Sequence, residues 1–142
     1  MHRIKILTNF SAAHRLRGYK GKCEALHGHN WKVEVVIAAS KLDSLGMVID
    51  FSELKKITNQ VLKELDHQNL NDLDYFSAKG GSLSCRQAGA SGRRDHNPSS
   101  EEIAKYIFDR LKSPVSKKKA KLSEVRIWET ETSCAIYTES VR

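Results

Sequence analysis

Two histidines separated by one glycine, in Cys23-Glu24-Ala25-Leu26-His27-Gly28-His29, constrain this chain more than any other feature. On an extended backbone, residues two apart project to the same face, so a strand here presents both imidazoles together. A third histidine, His14, ends the preceding apolar run, and pairing that run beside the first brings all three to one place. Three imidazoles can hold a metal ion and leave one position open. That is the arrangement of catalytic zinc; structural zinc is usually closed by four ligands. Neutral imidazoles also suit copper, iron and nickel. A histidine is elsewhere more often structural, and His2 and His96 are read as surface residues.

The flanking pattern supports two strands. Residues 3–10 alternate through Ile4, Ile6, Thr8 and Phe10, and residues 30–39 place Trp31, Val33, Val35 and Ile37 on one face against Lys32 and Glu34 on the other. Val36 and Ala38 make the second face apolar further along, which predicts cover on both sides at that end. Between the strands, Gly18 and Gly21 mark a turning loop that carries Cys23 towards the histidines. Asp50, with Glu53 three residues on, opens a helix whose stripe is Leu54, Ile57, Val61 and Leu65. Ser99, with Glu102 reaching back, caps a second helix, with Ile103, Ala104, Ile107, Phe108 and Leu111 on one stripe. Residues 122–129 and 134–140 read as a hairpin around Thr130-Glu131-Thr132-Ser133. The order strand, strand, helix, helix, strand, strand predicts a two-layer α+β fold.

At 142 residues the chain is expected to be one domain, 1–142, with its own core. Residues 77–96, glycine- and serine-rich without apolar period, read as a mobile surface insertion. No apolar run is long enough to cross a bilayer, and Met1-His2-Arg3-Ile4 does not begin a secretory signal. Three cysteines without a C-x-x-C pair indicate neither a disulfide framework nor a cysteine zinc site, and a cytoplasmic, reduced protein is expected. The net charge of +7 favours an anionic partner, either nucleic acid or a polyphosphorylated small molecule.

Cys23 lies four residues before His27, in a glycine- and lysine-rich loop beside the expected dication, a setting that favours a thiolate able to act as nucleophile or general base. A small buried hydrophobe is its plainer reading. Asp66-His67 follows the first helix and offers a carboxylate that orients an imidazole. Neighbours on a helix do not face each other, so that pair needs irregular backbone or assembly across subunits. Glu129 shares a strand face with Val125 and Ile127. An inward carboxylate needs a partner. A basic side chain would serve, and so would the paired N–H and NH2 edge of a guanine or pterin, which a carboxylate matches bidentately.

Taken in order, Phe10-Ser11-Ala12-Ala13-His14, Cys23-x3-His27-Gly28-His29-Asn30, Met47-Val48-Ile49-Asp50-Phe51, Leu65-Asp66-His67-x-x-Leu70-Asn71, Asn97-Pro98-Ser99-Ser100-Glu101 and Val125-x-Ile127-Trp128-Glu129-Thr130 resemble the 6-pyruvoyltetrahydropterin and 6-carboxytetrahydropterin synthase family over everything except residues 77–96. The resemblance implies a tunnelling fold: an antiparallel sheet with two helices on one face, which trimerises into a barrel, with two trimers commonly stacking into a hexamer and active sites at subunit interfaces. It also implies Zn2+ on His14, His27 and His29, Cys23 as general base, Asp66 with His67 as proton relay, and Glu129 as pterin anchor. Ser99 or Ser100 stands where family members often have a threonine near the ligand.

The implied substrate is 7,8-dihydroneopterin triphosphate, whose side-chain hydroxyls zinc would polarise as a Lewis acid. Cys-x3-His-Gly-His resembles the branch that forms 6-carboxytetrahydropterin, acetaldehyde and triphosphate on the way to queuosine. The pyruvoyl-forming branch resembles Cys-x5-His-Gly-His, which would need cysteine at Gly21. Glu24, three residues before His27, is similar to a subgroup forming 6-hydroxymethyldihydropterin for folate, or is a solvated loop carboxylate; both readings stand. From another class, a zinc-stabilised nucleic-acid-binding module could use Lys117, Lys118, Lys119 and Lys121 with Arg86, Arg93 and Arg94. It lacks interleaved aromatics and leaves Cys23, His67 and Glu129 without a role. An inactive oligomeric scaffold is the third reading.

Overall fold

The computed structural model describes residues 1–77 and 96–139, so the expected insertion, with Cys85, Arg86, Arg93 and Arg94, lies outside the described residues but for its two ends. Strand β1 (His2–His14) and strand β2 (His27–Ala39) pair antiparallel over their full length, with His14 opposite His27 and Ala12 opposite His29. Helix α1 (Phe51–Leu62), a two-residue strand β3 (Gln68–Asn69), helix α2 (Ser100–Ser116), and strands β4 (Lys121–Thr130) and β5 (Ser133–Tyr137) follow. The sheet order is β3-β1-β2-β4-β5.

The expectation of a purely antiparallel sheet is corrected here. β3 runs parallel to β1, pairing Ala12 with Gln68 and Ala13 with Asn69, so the sheet is mixed. Two residues without apolar alternation gave no strand signal. They are held because the turn after α1 folds back along the open edge of β1.

Alternation does the rest. Phe10 pairs with Trp31 and Ile6 with Val35 across β1–β2, and Val33, Val35 and Ile37 continue to Ile127, Val125 and Leu122 of β4. These residues are buried, and both helices bring their apolar stripes to the same cluster. Asn59 of α1 also accepts a hydrogen bond from Thr8 on that face (2.9 Å). Asp50 caps α1 by accepting from the Ser52 amide (2.6 Å). Leu65 lies past the end of α1 yet is fully buried, because the chain turns inward after the helix. Ser99 caps α2 as expected, whereas Glu102 turns away from the cap to take hydrogen bonds from Tyr75 (3.2 Å) and His96 (3.0 Å). His96 is therefore not a free surface residue; it stacks on Tyr75.

The other sheet face has a different composition. Glu34 is buried among Lys5 (3.1 Å), Arg126 (3.6 Å) and the Trp128 indole N–H (3.1 Å), and Lys32 lies over the Trp128 ring. Val36 and Ala38 are buried as the sequence predicts, beside this ion-pair network, and not beneath either helix.

Candidate metal centre

The register that packs the core also builds the site. Counting along the buried face, Phe10 and Ala12 lead to His14, and Trp31 leads back to His29 and His27, so the apolar stripe ends in three imidazoles. Trp31 forms their floor, with its ring 4.8 Å from His14 and 5.0 Å from His29. Glu129 arrives on the same face from β4, two residues beyond Ile127. The ligand atoms of His14, His27, His29 and Glu129 all lie within 4.8 Å of one another.

Hydrogen bonding on the far side of two rings fixes their tautomers. His14 Nδ1 donates to the Pro98 carbonyl (2.7 Å) and His27 Nδ1 donates to the Ala25 carbonyl (2.7 Å). Neutral rings with their protons so placed turn bare Nε2 lone pairs inward, and these two atoms are 3.0 Å apart. Two lone pairs at that distance repel unless a cation lies between them. His29 Nε2 is buried without a hydrogen-bond partner and stands 3.2 Å from Glu129 Oε1. Burial lowers the pKa of His14 and of His29, in each case against the opposing pull of Glu129, so both rings favour the neutral, ligating form. Ligands of a tetrahedral zinc ion, each about 2.1 Å from it, lie about 3.4 Å apart. The donor set, its spacing and its outer hydrogen bonds fit a divalent metal.

Four consecutive residues brace this centre. Asn97 bonds the Arg17 backbone (3.0 and 2.9 Å), Pro98 holds His14, Ser99 caps α2, and the Ser100 hydroxyl donates to Glu129 Oε2 (2.9 Å). Ser99, read as a ligand contact, thus has its oxygen engaged by the helix. Ser100 reaches the site through Glu129.

Cys23 is half-buried in a short 3-10 turn, Lys22–Glu24, and its carbonyl accepts from the Leu16 amide (2.8 Å). Glu24, in the same turn, is exposed. Gly28 has space for a Cβ, which would meet only the Ala12 carbonyl at 3.7 Å, so nothing within the chain approaches it closely.

Asp66 and His67 meet by irregular backbone. His67 has φ 57°, a left-handed conformation uncommon outside glycine, and this turns its Nδ1 to within 2.9 Å of Asp66 Oδ2. The Ser11 amide donates to Asp66 Oδ1 (2.9 Å), and Ser11 O accepts from the His67 amide (2.6 Å). The Ser11 hydrogen bond, followed by that of His67, holds the Asp66 carboxyl below the usual carboxylate range.

The pair is not on the metal side. His67 lines a cavity of about 470 Å³ with Ser11, Ala13, Gly28 and Asn30, the strand residues that alternate with His14, His27 and His29; Ala12 and His29 also line it. The Asp66–His67 pair therefore opens mainly onto the face opposite the cluster, with His29 reaching the same cavity.

Sequence reasoning singled out Ser99 and Ser100 but missed the backbone braces. Ala25 and Pro98 act through carbonyls and Ser11 through its amide, which no side-chain pattern announces. Trp31 was legible only as a core residue.

Comparison with known proteins gives a consistent result. The family model described as 6-pyruvoyl tetrahydropterin synthase matches residues 3–140. A 6-carboxy-5,6,7,8-tetrahydropterin synthase of Haemophilus influenzae is 35% identical over 98% of this chain and 100% of its own length. One from Synechocystis sp. is 36% identical over 91% of this chain and 87% of its own. Among solved structures, Caenorhabditis elegans 6-pyruvoyl tetrahydropterin synthase superposes with a TM-score of 0.75 at 31% identity, covering 98% of this chain and 96% of that one.

Proposed function

The chain belongs to the 6-pyruvoyl tetrahydropterin synthase family, and we propose that it acts there as a zinc-dependent lyase, converting 7,8-dihydroneopterin triphosphate to 6-carboxy-5,6,7,8-tetrahydropterin, acetaldehyde and triphosphate. Relatives that carry the 6-carboxytetrahydropterin synthase name along nearly the whole length support this product. The observation that carries the reading is the pair of imidazoles whose protons rest on Pro98 and Ala25 while their Nε2 atoms converge beside Glu129.

His14, His27 and His29 hold the metal. When bound, zinc supplies Lewis acidity towards the side-chain hydroxyls of the substrate. Glu129, steadied by Ser100, accepts the N–H and NH2 edge of the pterin and orients the ring. The Cys23 thiolate takes the proton from the side-chain carbon as triphosphate leaves. Asp66 keeps the His67 imidazole oriented through Nδ1, so its Nε2 can pass a proton to or from substrate.

Because the Asp66–His67 pair opens mainly onto the face opposite its own chain's cluster, we assign His67 to the cluster of a neighbouring copy. A trimer closed through the sheet, two of which stack as a hexamer, supplies that arrangement in the cytoplasm. No helix among the described residues is long and apolar enough to cross a membrane. The lysines at 117–119 form a turn at the end of α2 and fit a solvated link better than a nucleic-acid surface.

Mass spectrometry of products from 7,8-dihydroneopterin triphosphate tests the assignment. Carboxypterin with acetaldehyde is expected, and pyruvoyl or hydroxymethyl product alone contradicts it. Cys23→Ala is expected to keep zinc and lose turnover. Glu24, exposed in the same turn as Cys23, keeps a side-chain-cleaving folate activity as a second reading. Glu24→Ala then removes hydroxymethylpterin and spares the carboxylated product.

A further inference from the structure

The outer edge of β1 is closed at its end, from Ser11, and the closure continues past the strand. The Ser11 amide donates to the Asp66 carboxylate (2.9 Å) and its carbonyl accepts from the His67 amide (2.6 Å), and Ala13 lies beside Asn69 in β3. The Arg15 amide donates to Asn71 Oδ1 (2.8 Å), and its carbonyl accepts from Asn71 Nδ2 (3.0 Å). The Arg17 amide then donates to Asn97 Oδ1 (3.0 Å), and its carbonyl accepts from Asn97 Nδ2 (2.9 Å). Alternate residues of an extended chain turn their N–H and C=O groups to one edge. Positions 11, 13 and 15 therefore lie along one edge, and Arg17, in the turn beyond, is gripped in the same way. A carboxamide presents one acceptor and a donor side by side, as a peptide group does, so two asparagines stand in for a missing strand.

Leu16, between the two gripped residues, turns its amide the other way and donates it to the Cys23 carbonyl (2.8 Å). Arg17 is held a second time by its guanidinium, which donates to the Phe76 carbonyl (2.7 Å). The asparagine at 97 also directly precedes the proline whose carbonyl holds His14.

We propose that Asn71 and Asn97 are positioning residues that clamp the Arg15–Arg17 backbone and through Leu16 set the place of Cys23 relative to the histidine cluster. The catalytic part of this proposal rests on the reading of Cys23 as general base. It makes the loop's register a built feature, fixed from two separate segments and not from the turn itself.

The test uses the assembled, zinc-loaded enzyme with Asn71→Ala and Asn97→Ala made separately. Iodoacetamide alkylation of Cys23 and amide hydrogen exchange over residues 15–23 are followed by mass spectrometry beside kcat, KM and zinc content. Loosening is expected to raise both alkylation and exchange about fivefold or more. The kcat falls about tenfold, with KM and zinc within about twofold. Asn97→Asp, which keeps the acceptor for the Arg17 amide, recovers part of the loss. Unchanged alkylation and exchange in both variants, with zinc retained, overturns the proposal, and Asn71→Ala carries the test alone if Asn97→Ala does not assemble. Loosening with unchanged kcat overturns the catalytic positioning, and turnover by Cys23→Ala would then trace that failure to the role of Cys23 and not to the clamp.

Discussion

The two faces of the sheet do different work. The face beneath the helices is apolar through Phe10, Trp31, Val33 and Ile127, and its stripe ends in His14, His27 and His29. The opposite face carries Lys5, Glu34, Arg126 and Glu124 in ion pairs, and at its end the cavity lined by His67. A packed core holds ligand nitrogens in fixed rotamers, which is what a metal needs. The proposed proton carrier needs access instead, and the His67 side chain is 81% exposed where His14 is 1% exposed. On the proposed reading one chain carries both groups but turns them mainly to opposite sides of its sheet, and a second copy is what brings them together.

The largest expected effect breaks the buried side. His29→Ala is expected to lose stoichiometric metal and at least about 10³-fold in turnover while the chain stays folded, because the metal's loss removes both substrate docking and acidification. Metal analysis and circular dichroism check this; full metal content in the variant contradicts the three-histidine assignment. Glu129→Gln comes next. As pterin anchor its loss raises KM about tenfold or more and leaves metal in place. Loss of metal would instead make Glu129 a fourth ligand, which its 3.2 Å approach to His29 Nε2 makes a sharp alternative.

A pH series gives a smaller, graded effect. Burial holds His14 and His29 below their ordinary value of 6.5, so below that pH the unfolded chain binds more protons than the folded one. Stability of the metal-free protein is therefore level above about pH 7 and falls as pH drops through 6.5, and metal is released over the same range. Urea midpoints and chelator competition measure both; a midpoint that rises on acidification contradicts the assignment. The smallest effect lies on the charged face. Glu34→Gln is expected to cost about 1–2 kcal/mol, because Lys5 and Arg126 are partly exposed and their pairing is screened. Denaturant unfolding with unchanged metal content checks it.

Much of the site was legible because it rides on strand alternation. His14, His27, His29 and Glu129 lie on the same periodic face as Phe10, Trp31 and Ile127, so the pattern that predicts the core also predicts the cluster. What was hidden acts through backbone or through local geometry. The parallel β3, the left-handed His67 and the carbonyls of Ala25 and Pro98 leave no periodic trace. Glu102 had two possible partners, and tertiary packing gave it to Tyr75 and His96 in place of the cap.

Subunit complementation tests the central claim most directly. Chains carrying His67→Ala keep the metal cluster, and chains carrying His29→Ala keep the relay; each assembled alone is inactive. Co-expressed at equal levels, random association places an intact cluster against an intact relay at about a quarter of the interfaces of a cyclic assembly, with activity recovered in proportion. Mixed assemblies that stay as inactive as the parents, with metal present in the His67→Ala chains, would contradict the division of one active site between two copies.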